Sequence, residues 1–214
     1  MRFKIKEPVS TLTHLITCIL AVIGTVYLIT NARGDAVKAI SMAIYGVSLI
    51  ALYGASSAYH WVKSTERVEK TLKKIDHLAI FALIAGTYTP VFMYGLEGPW
   101  RVAMLSTIWG LALAGMVVKF FFINVPRWVS SVIYLSMGWI AIVPFYHLIQ
   151  VYVTEVIVLM ILGGVFYSVG AIVYAKKWFD FIPNKFGFHE NFHLWVMAGS
   201  IVHFIMIALF ILPL

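Results

Sequence analysis

Two pairs of polar residues, Ser56 with His60 and His189 with His193, stand at i,i+4 spacing on apolar segments at opposite ends of a 214-residue chain. Asp76 stands at the head of a third apolar segment. Residues four apart share one face of a helix, so each pair directs two side chains the same way. Three imidazoles and a carboxylate are costly in apolar surroundings unless they bind something. Imidazole suits zinc, whereas magnesium and calcium prefer oxygen ligands; copper and nickel also accept imidazole, so zinc is a preference among metals. His60, His189 and His193 on one zinc ion per chain leave a fourth tetrahedral position for water, the open arrangement of catalytic sites. Such an ion acidifies water and polarises carbonyls. Asp76 then serves as general base or orients a histidine from behind, and Ser56 steadies the water or an oxyanion.

The competing reading of any single intramembrane histidine is a hydrogen bond between helices. For Asp76 it is an acid favoured at a helix N-terminus by the backbone dipole. Other polar residues rank lower. His77 follows Asp76 directly and is expected to point elsewhere, at the interface or behind the site. His14, near Glu7 and Thr13, sits at the inner end of the first span and leans toward the site. His203 lies ten residues past His193, about 15 Å along a helix, too far to share its ion; it lines a polar cavity or pairs with a neighbouring helix. His147 falls at the opposite face. His189-Glu-Asn-Phe-His193 matches the letters of the H-E-x-x-H zinc-protease signature. That reading fails on context, because the motif opens an apolar span, but Glu190 remains a competitor to Asp76 as base.

The elements that position these groups are membrane spans. The chain is 62% hydrophobic and 12% charged, with mean hydropathy +0.92, against about 25% charged residues in soluble domains. A single cysteine, Cys18, excludes an intramolecular disulfide and a cysteine-rich metal cluster. No cleavable signal peptide is evident at the start. Seven runs reach the roughly 20 residues a span needs: 13–31, 38–62, 77–96, 101–122, 128–148, 153–175 and 190–212. One helix from 128 to 175 would be about 70 Å long, so a turn is expected near Gln150. The net charge of +7 does not form a stripe for nucleic acid. Of 16 basic residues, all but Arg33, Lys38 and Arg101 fall on the side of the N-terminus, which places that terminus in the cytoplasm and the C-terminus outside. The expectation is a single all-α domain over residues 1–214, a seven-helix transmembrane bundle. Its topology brings His60, Asp76, His189 and His193 to one depth, near the cytoplasmic face.

Three further segments carry structural expectations. Val68, Leu72 and Ile75 repeat at helical spacing between charges, as in a short interfacial helix or a solvated loop. Gly86-Thr-Tyr-Thr-Pro90 reads as a kink with hydroxyls bonding freed carbonyls. Residues 178–193, with Pro183 and Gly187 opposing an early helix, read as a lid over the site or an aromatic anchor.

Glu7-Pro8 with Thr13-His14, Ser-Ser-Ala-Tyr-His60, the run 74–90 (KIDHLAIFALIAGTYTP) and FGFHENFH continuing to AGSIVHF at 204 together resemble the bacterial hemolysin III family. That family lies within the progestin and adipoQ receptor family and the wider group that includes alkaline ceramidases. The resemblance spans nearly the whole chain. It implies a seven-helix bundle in the bacterial cell membrane with zinc on His60, His189 and His193, accompanied by Ser56 and Asp76. Asn191, where relatives usually carry an aliphatic residue, is a departure that leaves every ligand in place. Three functions follow from the resemblance: a zinc-dependent lipid amide or ester hydrolase serving membrane-lipid homeostasis, a pore-forming hemolysin, or a receptor in which zinc only pins the bundle. Membrane lipids are the implied partners. A dedicated pore would need a polar stripe through several spans, and these spans carry few charges outside one layer.

Overall fold

The computed structural model describes residues 5–182 and 186–214, and these fold into eight helices without a β-sheet. They are α1 (Pro8–Thr30), α2 (Ala36–Trp61), α3 (Glu66–Gly95), α4 (Gly98–Phe121), α5 (Arg127–Gly138), α6 (Phe145–Val151), α7 (Thr154–Lys176) and α8 (Phe188–Met206). A 3₁₀ turn at Ile140–Ile142 follows α5, and α8 continues into a π turn at Ile207–Ile211. Arg2, Lys4 and Lys185 of the charge reading, and Pro183, lie outside the described residues.

Local chemistry sets the ends of these helices. Pro8 occupies the first turn of α1, where its missing N–H costs nothing. Asp35 caps α2 by accepting a 2.9 Å bond from the Lys38 N–H. Gly98, at φ +49°, and Pro99 turn the chain from α3 into α4. At the head of α8 the Glu190 carboxylate accepts the Gly187 N–H at 2.9 Å.

Six helices are long and apolar enough to cross a membrane, and the pair α5–α6, bent by 53° at Val143–Pro144, makes a seventh span if it is read as one. The protein is an all-α, multi-pass membrane protein. Two boundaries differ from the sequence expectation. Residues 66–76 form neither a loop nor a separate interfacial helix; they are the first turns of α3. Nothing in Val68–Ile75 breaks the helical repeat, and Glu66 and Glu69 favour a helix start there. At 30 residues, α3 is about 45 Å long, against a hydrocarbon layer of about 30 Å. Asp76 is therefore an interior residue of α3, and the reading of it as a dipole-favoured helix-head acid falls. The second difference is that the span expected over 128–148 is broken, and the following turn comes at Tyr152–Val153.

Helix α3 is the central element: 61% of its apolar window is buried, against 22–44% in the other five long helices. Neighbouring helices pack in chain order, and α8 packs on both α7 and α1, which closes the ring. Small residues let the backbones approach. A Cβ on Gly86 of α3 would lie 2.3 Å from the Ser48 hydroxyl of α2. Pro90 sits inside α3 without ending it, while the Thr87 and Thr89 hydroxyls bond the Leu83 and Ala85 carbonyls at 2.8 and 2.9 Å. Large apolar side chains such as Ile16, Ile19, Leu20 and Ile23 of α1 face outward, as a lipid-facing surface requires.

Candidate metal centre

His60 is in the last turn of α2, whereas His189 and His193 occupy the first two turns of α8. One nitrogen from each ring lies within 4.8 Å of the others. The Nε2 atoms of His60 and His189 are 3.2 Å apart. Two imidazole nitrogens on one tetrahedral zinc, each about 2.0–2.1 Å from it, stand about 3.3 Å apart, so this pair fits an ion between them. His60 and His193 are buried and His189 is half-buried. Three imidazole nitrogens this close together can hold a metal ion.

The ring orientations have a cause. Glu7, just ahead of α1, brings Oε2 to 2.6 Å from His60 Nδ1, and its N–H donates to the His60 carbonyl at 3.0 Å. A carboxylate at Nδ1 places the ring proton there and leaves the Nε2 lone pair directed at the site. The same contact holds the Glu7 carboxyl below the usual carboxylate range. Ser10, one turn on, donates to Glu190 Oε1 at 3.2 Å. The start of α1 thus ties the end of α2 to the start of α8, the two elements that carry the three histidines.

Asp76 and Ser56 face each other at the wall of the same cavity as His189 and His193. His77 does not turn away; its Nδ1 lies 3.4 Å from Asp76 Oδ2, and its ring also lines the cavity. An adjacent residue can reach back across the helix when its neighbour's side chain is short. His14 stacks on His193 at 3.7 Å between ring centroids, with both of its nitrogens unpartnered among the described residues. Glu190 is held by Ser10 and the Gly187 N–H and does not line the cavity that Asp76 lines.

The cavity has a volume of about 420 Å³, within the range of small-molecule sites. It runs from the histidines, between α3, α5, α7 and α8, to Trp139 and Phe145 at the α5–α6 break. A broken helix is tolerated at membrane depth where it is buried or lines a cavity. Here the Tyr88 hydroxyl bonds the freed Gly138 carbonyl, and Trp139 Nε1 donates to Ser168 at 3.0 Å. His203 lines the far part and donates from Nε2 to the Met160 carbonyl at 3.2 Å. Ser200 joins the Tyr53 and Tyr167 hydroxyls at 2.7 and 2.8 Å. Between these groups the walls are apolar, with Leu83, Ile84, Val91 and Met206 among them. Among the described residues after α7, Trp178, Phe179, Phe181 and Ile182 are 48–61% exposed and none of the four lines this cavity, the disposition of an anchor.

Glu7 is the site residue that motif spacing does not reveal. It belongs to no spaced pair, and the available signal was an acid directly before the Pro8 that opens an apolar run.

Comparison with known proteins gives the chain's relationships. The model of the family described as "Haemolysin-III related" matches residues 3–204. "Hemolysin-3" of Bacillus cereus is 35% identical over 215 residues, covering 99% of this chain and 94% of the relative. "Hemolysin-3 homolog" of Bacillus subtilis (strain 168) is 37% identical over 205 residues, with 94% and 93% covered. "Monocyte to macrophage differentiation factor" of Homo sapiens is 28% identical over 196 residues, with 90% and 79% covered.

Proposed function

The chain belongs to the haemolysin-III-related family, and from that premise we propose that it is a membrane-embedded, zinc-dependent hydrolase of lipid amides or esters, working in membrane-lipid homeostasis. One observation carries the reading: His189 and His193, two of the three clustered imidazoles, and the half-buried Asp76 carboxylate line the polar end of an otherwise apolar cavity inside a membrane protein, with His60 directly behind them. That arrangement matches a substrate with one polar reacting group and a long apolar body.

His60, His189 and His193 would hold a zinc ion, which would supply the Lewis acidity such a reaction needs. The protein's residues supply the rest. Asp76 accepts the proton of the attacking water and passes it to the departing amine or alcohol. Ser56, beside Asp76 on the cavity wall, donates its single hydroxyl proton to the oxygen charge that develops on the carbonyl. His14, packed flat on His193, fixes the ring plane of that ligand. The apolar walls take the acyl chain and exclude bulk water from the reacting end.

The test is hydrolysis of defined lipid amides and esters by pure protein in nanodiscs, with and without metal. Activity should need zinc and fall by 10²–10⁴-fold in Asp76→Asn, the usual worth of a general base, while bound metal persists. Full activity in Asp76→Asn would remove Asp76 from the chemistry. Metal-independent dye release from liposomes by the wild-type protein, with no lipid cleaved, would instead establish a pore.

A further inference from the structure

Lys119, near the end of α4, is 5% exposed. A buried ammonium is retained where it is paired. At the end of the bundle that carries the N-terminus, neighbouring cations have such partners. Lys6 pairs with Glu69 at 2.9 Å, Lys74 lies over the Phe120 ring and Arg127 lies by the Tyr174 and Phe188 rings. Lys119 has no carboxylate within 4.0 Å among the described residues. Its single partner is a neutral hydroxyl, Ser130 Oγ at 2.7 Å, which uses one of three ammonium donors. The nearby charge is of the same sign: Lys73, half-buried on α3, repels it.

A buried ammonium with a like charge nearby carries a cost that a bound anion turns into a gain. Ser130 also lines the large cavity, so an anionic group held there can carry an apolar chain into it. The level in the bundle is right as well. These residues stand near the membrane surface that the charge distribution assigns to the cytoplasm, where anionic headgroups gather.

We propose that Lys119, Lys73 and Ser130 form a binding site for the phosphate of an anionic lipid headgroup, separate from the histidine centre and independent of whether that centre hydrolyses lipids. Lys119 supplies the buried charge and two free donors, Ser130 orients the ammonium, and Lys73 closes the site from α3.

Native mass spectrometry of the full chain tests this, with the protein delipidated in detergent and titrated with phosphatidylglycerol, phosphatidylcholine or inorganic phosphate. The wild-type protein should retain phosphatidylglycerol over phosphatidylcholine. Lys119→Met should weaken that retention about tenfold or more, the worth of one or two charge-assisted bonds, and Lys119→Arg should keep most of it. Lys177→Met, at an exposed position, should change nothing. Inorganic phosphate bound alone, and lost equally in Lys119→Met, would keep the anion site and assign it a soluble ligand. Equal phosphatidylglycerol retention by wild-type and Lys119→Met protein would overturn the proposal, as would equal retention of both lipids with no phosphate bound. If Lys119→Met elutes as aggregate, Lys73→Met carries the same comparison at a half-buried position.

Discussion

At the residue scale, the histidine cluster was legible because its spacing is a physical statement. His189 and His193 must share a face on any helix, and Ser56 and His60 likewise. The structure brings all three histidines together, with Asp76 and Ser56 on the same cavity wall. Glu7 was not legible, because its bond to His60 joins the chain just outside one helix to the far end of the next, a contact no local pattern encodes. This residue gives a direct prediction. Glu7→Gln keeps the size of the side chain but removes the charge that fixes the His60 tautomer, so metal affinity should fall about 10–100-fold. Competition with a zinc chelator measures this; unchanged affinity would reduce the 2.6 Å contact to packing. Glu190→Gln, by contrast, alters a helix-start contact and should leave affinity within a few-fold of the wild type.

At the element scale, hydropathy located the spans but not where the helices project beyond the hydrocarbon. Apolar runs mark the part of a helix in lipid, whereas hydrogen bonding carries α3 back to Glu66 through charged residues. The start of the third apolar run is therefore not the start of a helix, and the competing reading of Asp76 as a helix-head acid falls with it. The α5–α6 break was illegible for a related reason. Its freed Gly138 carbonyl is satisfied by Tyr88 from α3, and the break lines the cavity, both tertiary effects. Close helix approach yields a second prediction. Gly86→Ala places a Cβ 2.3 Å from Ser48 Oγ and 3.3 Å from the Ile44 carbonyl, so α2 and α3 must part. Overpacking of this kind costs about 1–3 kcal/mol, to be read as a lower unfolding midpoint in detergent; an unchanged midpoint would contradict the packing of α2 against α3.

At the scale of the whole molecule, a closed ring of helices joins a polar end to an apolar interior, and the proposed chemistry needs both. The two are separable by mutation. Val196→Trp, on the cavity wall, should block long acyl chains while leaving bound metal unchanged, so that cleavage of long-chain substrates falls more than cleavage of short-chain ones. An equal loss for both lengths would show that the cavity does not hold the chain. Everything in the account of function rests on the histidines holding an ion. The decisive measurement is metal content by mass spectrometry of detergent-purified wild-type protein beside His193→Ala. About one zinc per chain in the wild type, lost in the variant, is the predicted result; no tightly bound metal in either protein would contradict the account.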